Sequence, residues 1–350
     1  MSVKPVAVGR RRLGPGRPVF IIAEAGVNHN GRLALALRLV DEAKKAGADA
    51  VKFQTFTAET LCLPGAPKAA YQKRAVPGRS QFEMLKKLEL SRADFEKILR
   101  RCRRAGILFL SSPFDEASAA FLAGLGVPAF KIPSGELTNT PLLARSAGYG
   151  RPLLLSTGMA DLREIREALR VARAAGNRRV VLFQCTSNYP TAPANAHLRV
   201  IPALAKAFGI PVGFSDHTEG IESALAAVAL GACAVEKHFT LSRRLPGPDH
   251  AVSLEPKGLA ALVRGIRVVE RALGRAEKRP LPSELPVRRV ARRSLVTSGP
   301  LARGERFSKD NVAVKRPGTG LAPGRLDWLL RRRAARALPA HRLIREADCA

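Results

Sequence analysis

From residue 19 to about residue 273, short runs rich in β-branched and aromatic residues alternate with amphipathic stretches, eight times over. This pattern points to parallel strands joined by crossover helices, because a parallel pair cannot be closed by a tight hairpin. The predicted strands are Val19–Val27, Ala50–Phe56, Leu108–Pro113, Ala129–Gly135, Pro152–Gly158, Val180–Ser187, Pro211–His217 and Cys233–Thr240. Helical segments such as Leu33–Ala46 and Ile221–Leu230 follow them, and Lys257–Leu273 closes the ring. The strands are apolar almost throughout, as expected when both faces are buried. The predicted class is α/β, a (β/α)8 barrel. An open doubly wound sheet is less fitting, since the first strand leads into Asn28-His29-Asn30-Gly31-Arg32 and not into a GxGxxG phosphate turn.

Two departures from the alternation divide the chain further. The second unit carries an insertion from Thr57 to about Leu90, read as an elaborated loop over the barrel mouth. Beyond Leu273 the texture turns Pro- and charge-rich, so residues 276–287 read as a linker between a barrel over 1–275 and a module over 288–350. That module has short strand-like pieces, Arg293–Thr297 and Val312–Lys315, between Gly/Pro turns. It reads as a small β-rich domain, small enough to lean on a partner surface.

Charge enters next. Lys and Arg number 59 against 29 Asp and Glu, a net charge of +30, which admits nucleic acid, a membrane surface or a small phosphorylated substrate as partner. The excess is mostly arginine scattered on helix faces (Arg163, Arg166, Arg170, Arg173), the pattern of solvated surfaces. No recognised nucleic-acid module or aromatic stacking set accompanies the basic tail, so neither nucleic acid nor membrane is expected as a partner. Met1–Gly16 is followed by no apolar signal core, and the longest apolar run, Ala224–Val235, is too short to span a bilayer, so a cytoplasmic protein is expected. The five cysteines form no CxxC, which indicates neither a disulfide scaffold nor a thiolate zinc site.

In such a barrel, catalytic groups sit where strands end. Here the strand ends hold Glu24; Lys52 and Gln54; Ser111 and Ser112; Lys131, Ser134 and Glu136; Ser156; Ser187 and Tyr189; Ser215 and His217; and Glu236, Lys237 and His238. Lys52 and Lys131 lie inside apolar strands, where an unpaired ammonium is costly, so each needs an anion. Ser112, Ser134, Ser156, Ser187 and Ser215 add hydroxyls, and together these suit a small, multiply charged phosphate ester or carboxylate. A Schiff-base lysine is the rival use. His217 and His238 end adjacent strands and could converge on a divalent cation such as Mn2+. Glu24 and Glu136 are candidates for proton transfer or for salt bridges to the lysines. His29 reads as shaping its turn, with Asn30 capping the first helix.

The stretches FIIAEAGVNHNG, GADAVKFQTF, SSPFDEAS, PAFKIPSGELTN, LLLSTGMA, CTSNYPTA, GFSDHTEGI, EKHFTL, LPGPDH, ARRSLV and VKRPGTG occur in order over about residues 17–345. In these motifs the chain resembles the bacterial sialic acid synthases, the N-acetylneuraminate synthase family that includes the legionaminic acid synthases. The resemblance implies a (β/α)8 barrel joined to a C-terminal antifreeze-like (SAF) domain of β-clip type, in a domain-swapped homodimer. It implies condensation of phosphoenolpyruvate with an open-chain N-acetylated hexosamine, N-acetylmannosamine in the archetype, with release of phosphate. By motif position, Lys52, Ser112, Lys131, Ser134, Ser156, Ser187 and Ser215 would cradle phosphoenolpyruvate, and His217 and His238 would hold Mn2+ or Mg2+. Glu24 and Glu136 would handle protons and water. Gln54, Tyr189 and Asp249 would contact the sugar, and Arg316 would reach its amide from the partner's small domain. The diacetamido acceptor of legionaminate synthesis and a 6-phosphorylated acceptor are alternatives within the family. The chain departs from the common pattern in having Ser112 where Thr is usual and Gln184 where His is usual.

Overall fold

The computed structural model of the chain describes residues 3–78 and 80–350, in two units, Met1–Gly274 and Arg275–Ala350. The first two residues of the basic N-terminal stretch and Arg79 of the insertion lie outside the described residues.

The first unit opens with an antiparallel hairpin, β1 (Val6–Val8) and β2 (Arg11–Leu13). Eight parallel strands follow: β3 (Phe20–Gly26), β4 (Ala50–Thr55), β5 (Leu108–Pro113), β6 (Phe130–Ile132), β7 (Leu153–Ser156), β8 (Val180–Cys185), β9 (Val212–Asp216) and β10 (Ala234–His238). Their hydrogen-bonded order is β5-β4-β3-β10-β9-β8-β7-β6, and the two ends of that ladder, β5 and β6, lie against each other. The sheet is therefore a nearly closed (β/α)8 barrel. Each predicted strand is present, shortened by up to three residues at its ends.

Alternation of side chains splits the apolar residues into two layers. One faces the helices, where Leu33–Lys45 buries Ala36, Leu39, Val40 and Ala43 along one stripe. The other fills the barrel with Phe20, Ile22, Ala50, Leu110, Leu154, Val181 and Phe183, and Val6, Val8 and Leu13 of the hairpin join this inner layer. The lower layers of the interior are thus dry, and polar side chains can enter only near the carboxyl ends of the strands. Asn30 does not cap the first helix, as the sequence had suggested: the N-cap is Arg32, without a side-chain bond. Asn30 instead takes a left-handed φ of 51° and donates from Nδ2 to the Pro246 carbonyl at 2.8 Å.

The insertion is more ordered than a loop. It forms short helices at Ala58–Leu61, Ala70–Ala75 and Gln81–Lys86, anchored by Ala58, Met84, Leu85 and Leu88 against Val27 and Phe56. The second unit holds an antiparallel pair, β11 (Ser294–Thr297) and β12 (Val312–Lys315), over a core of Leu295, Leu301, Phe307, Leu321, Leu329, Leu338 and Ile344. A 3-10 turn at Pro282–Glu284 and the start of a helix at Leu285–Ala291 occupy the second half of the stretch read as linker. Among the described residues no helix is long and apolar enough to cross a membrane, and all five cysteines are free thiols.

Candidate active site

Every barrel strand but β8 brings to its carboxyl end at least one residue singled out from the sequence, and β8 leads directly to Ser187. Parallel pairing places Glu24 beside Lys52 and Gln54 beside Ser112 in register, while Ser215 lies beside Glu236. The result is a buried charge network. Lys52 Nζ lies 2.7 Å from Glu24 Oε2, 3.8 Å from Glu236 Oε1, and donates to Ser112 Oγ at 3.2 Å. Lys131 Nζ donates to Glu236 Oε1 at 3.0 Å, which also accepts from Ser215 Oγ at 3.1 Å. Gln54 Nε2 donates to Glu24 Oε1 at 3.2 Å.

The environment drives the two carboxyls apart. Burial raises the Glu24 carboxyl, and despite the opposing Lys52 ammonium it rests at about 7. Burial also disfavours the Glu236 anion, but the ammoniums of Lys131 and Lys52 outweigh it and hold that group down at about 2. One carboxyl thus carries a proton near neutrality while its neighbour stays ionised, a division of acid and base character set by surroundings alone. Burial likewise lowers Lys131, whereas for Lys52 the opposing carboxylates overcome burial and raise it.

Beside the lysines lies a hydroxyl cradle. Gly158 N–H donates to Ser134 Oγ at 3.0 Å, and a Cβ on Gly158 would stand 2.3 Å from Ser187 Oγ and 2.8 Å from Ser134 Oγ. Ser156 Oγ is buried with no hydrogen-bond partner, as is Glu236 Oε2. Such orphans in a cluster of cations are the mark of a site shaped for a polar ligand.

The imidazoles form the other half. His217 and His238 have ring centroids 5.4 Å apart, with the Tyr189 ring 4.1 Å from the first and 5.5 Å from the second. His217 Nδ1 sits 2.7 Å from the Thr186 carbonyl, which can only accept, so Nδ1 carries a proton. Burial disfavours the charged ring, but the contacts to Cys185 and the Thr186 carbonyl outweigh it and raise the group. His238 Nδ1 has no hydrogen-bond partner, and Asp249 Oδ2 lies 3.9 Å away. Burial, helped by His217, lowers His238 well below the ordinary imidazole value and so keeps it neutral.

Two of the singled-out residues stand apart. Glu136 is on the 3-10 turn Ser134–Glu136, half-buried, and accepts from Asn139 Nδ2 at 2.7 Å instead of pairing with a lysine. Arg316 follows β12 in the second unit and is exposed. Sequence reasoning gave no role to Glu236, which proves to be the hub of the network; its i, i+2 spacing from His238 was the available signal. It also passed over Tyr71 of the insertion, whose ring is 5.0 Å from Tyr189, and Cys185, whose Sγ is 3.8 Å from His217 Nδ1. His250 carried no comparable signal in the sequence. It joins two loops, contacting Thr240 Oγ1 at 2.6 Å and Asn30 Oδ1 at 3.1 Å.

Comparison with known proteins agrees with this architecture. The NeuB family model matches residues 39–278, and the SAF domain model matches residues 292–349. An N,N'-diacetyllegionaminic acid synthase of Legionella pneumophila is 47% identical over 337 residues, covering 95% of each chain. The human N-acetylneuraminate-9-phosphate synthase is 39% identical over 306 residues, covering 87% of this chain and 85% of that one. A crystal structure of an N-acetylneuraminic acid synthetase from Leptospira borgpetersenii, in complex with citrate, superposes with a TM-score of 0.73 at 36% identity, covering 81% of this chain and 95% of that chain. With the strand-end site and both modules matched, the chain belongs to the NeuB family, its barrel followed by a SAF domain.

Proposed function

We propose that the chain is a transferase that condenses phosphoenolpyruvate with an open-chain N-acetylated hexosamine, N-acetylmannosamine or a close relative, to give a nine-carbon 2-keto sugar acid and inorganic phosphate. The observation that carries this reading is the cluster of buried Lys52, Lys131, Ser112, Ser156 and Ser215 with half-buried Ser134 and Ser187, beside two imidazoles. The cluster offers two ammoniums and several hydroxyls to one small polyanion. The imidazoles lie where an aldehyde would meet it.

In this reading the C2=C3 π pair of phosphoenolpyruvate forms a bond from carbon 3 to the aldehyde carbon, and the carbonyl π pair moves onto the aldehyde oxygen, which becomes a new alcohol. Glu24, which holds a proton near neutrality, supplies the proton that this oxygen takes. Water adds at carbon 2 and gives up one proton, which restores Glu24, and cleavage of the C2–O bond then expels phosphate, which takes the second proton as the ketone forms. Glu136 on its rim turn orients that water, while Glu236 stays ionised and holds Lys52 and Lys131 in place. Gln54, Tyr189 and Asp249 contact the sugar, and Arg316 reaches its amide group from the second unit of a partner copy in a swapped homodimer.

The donors present fit a divalent cation, Mn2+ or Mg2+, held by His217 and His238. The fit rests on the tautomer fixed by the Thr186 carbonyl and on the orphaned Nδ1 of His238. Among the described residues no group of three or more His, Cys, Asp or Glu is placed to hold a metal ion, so in this reading water and substrate oxygens would complete the shell around the two imidazoles. Such an ion supplies Lewis-acid polarisation of the aldehyde. As for the acceptor, 47% identity to the legionaminic acid synthase, against 39% to the neuraminate-9-phosphate synthase, favours the 2,4-diacetamido-trideoxymannose acceptor as a second reading.

The experiment incubates the protein with phosphoenolpyruvate, Mn2+ and each of three acceptors: N-acetylmannosamine, its 6-phosphate and the diacetamido analogue. Phosphate release and product mass are followed. Release with one acceptor, abolished by EDTA and by His217→Ala, is expected. Phosphoenolpyruvate binding without release for any acceptor overturns the acceptor assignment, and absence of binding overturns the whole reading.

A further inference from the structure

One buried ion pair flanks the two imidazoles and takes no part in the chemistry above. Lys237 of β10 lies beside Asp216 of β9 in register. Their side chains are 2% and 0% exposed, and Lys237 Nζ lies 2.7 Å from Asp216 Oδ2. The same ammonium donates to the Thr218 carbonyl at 2.5 Å, while Asp216 Oδ1 accepts from the Thr218 N–H at 2.9 Å and from its hydroxyl at 2.8 Å. One carboxylate and one ammonium therefore grip the residues on both sides of His217, and the ammonium belongs to the residue just before His238. The knot extends to the segment that carries Tyr189: the Thr191 N–H donates to the His217 carbonyl at 2.8 Å, and Thr191 bridges to Thr218.

Stability alone is a weak reason for such a pair. Exchanging a buried ion pair for apolar side chains of similar volume is often neutral or better, whereas fixing one geometry among several is a role such pairs can fill. The position matters because Asp216 and Thr218 bracket His217 where β9 ends. Past that point the ladder to β10 ends, and beyond the backbone bridge to Thr191 a side-chain tie is what can fix the backbone. Ligand orientation in turn controls metal affinity, and groups that only orient a ligand typically govern it by one to two orders of magnitude.

We propose that Asp216 and Lys237 are positioning residues that set the separation and orientation of His217 and His238, and through them the affinity of the site for a divalent cation. The inference rests on reading those two histidines as the ligands.

The test measures Mn2+ binding to the full chain through loss of the free-ion electron paramagnetic resonance signal, with phosphoenolpyruvate binding followed by calorimetry. Lys237→Met and the double variant Asp216→Asn/Lys237→Met are compared with wild type and with His217→Ala. The double variant leaves no unpaired buried charge, so it is expected to keep the wild-type thermal midpoint and phosphoenolpyruvate affinity while Mn2+ binding weakens about 10- to 100-fold. Lys237→Met strands a carboxylate in the interior and can fail to fold for that reason alone, so the double variant decides. A folded double variant with wild-type Mn2+ affinity overturns the inference. So does a double variant that does not fold, or one that loses both ligands equally, since the pair then serves the fold and not the site. If wild type itself binds no Mn2+, or His217→Ala binds it as well as wild type does, the two-histidine reading falls, and this inference with it.

Discussion

At the scale of single residues, the site is defined as much by what is missing as by what is charged. Gly158 is the clearest case. Its backbone N–H reaches Ser134 Oγ, and any side chain would collide with two hydroxyls of the cradle. Gly158→Ala is therefore expected to leave the circular dichroism spectrum and thermal midpoint near wild type while phosphoenolpyruvate binding weakens by at least about tenfold, or about 1.4 kcal/mol, in a calorimetric titration. Unchanged affinity would mean that Ser134 and Ser187 do not face the ligand. The lysines and histidines were legible because a charged residue inside an apolar run has to be explained. Gly158 was not legible, because its importance lies in the positions of two serines from other strands. Glu236 stayed silent for a related reason: a carboxylate at a strand end has no meaning until the lysines that face it are known.

At the scale of elements, the eight βα units were legible from period alone, and the insertion after β4 was not. A stretch with Pro64, Pro67 and Pro77 and with polar residues reads as loop, yet its first and third short helices share a small apolar cluster with Val27 and Phe56, against which Val76 at the end of the second helix packs. This order brings Tyr71 onto Tyr189 and so extends the aromatic wall beside the imidazoles. Removing one ring from such a stack costs about 1 kcal/mol beyond the area it buries. Tyr71→Ala is expected to raise the acceptor KM about fivefold, with the KM for phosphoenolpyruvate unchanged. Equal shifts in both constants, read from initial rates of phosphate release, would instead make Tyr71 part of the support for the whole mouth.

At the scale of the whole molecule, the two units have separate cores and are expected to respond to acid differently. In the second unit, the side chain of Asp348 is fully buried. Its carboxylate accepts from Arg336 Nε and Nη2 at 3.0 and 2.6 Å and from the Arg345 N–H at 2.9 Å. Burial opposes that charge, but the Arg336 guanidinium and the Arg345 N–H outweigh it and hold the group below the usual carboxylate range. A depressed carboxyl stabilises the fold above its unfolded value of about 3.9, and this contribution is lost as pH falls through the lower, folded value. Asp348→Asn is expected to cost the second unit about 2 kcal/mol at pH 7, the worth of charge-assisted hydrogen bonds, and much less near pH 2. Calorimetric scans at the two pH values check this, and an equal cost at both would assign the loss to packing. For the proposed swapped dimer, mixing His217→Ala with Arg316→Ala chains under conditions of subunit exchange is expected to restore about a quarter of wild-type activity, since only one site in a mixed dimer has both intact groups. No recovery would show that Arg316 does not serve a partner's site.

The sequence by itself determined the barrel, its strand order along the chain, the β-rich second unit and the kinds of residue at each strand end. Each of these follows from local period, burial preference and motif, and all are properties of consecutive residues. Tertiary structure decided the pairings. It showed that Lys131 faces Glu236, that Glu136 turns away to Asn139, that Glu24 is the carboxyl placed to keep a proton near neutrality, and that Asp216 pairs with Lys237 between the strands that carry the two histidines. These depend on which strands become neighbours and on how deeply the barrel buries their ends. Coulomb and desolvation energies are set by distances of a few ångströms between residues more than a hundred positions apart, and no local pattern in the chain encodes those distances.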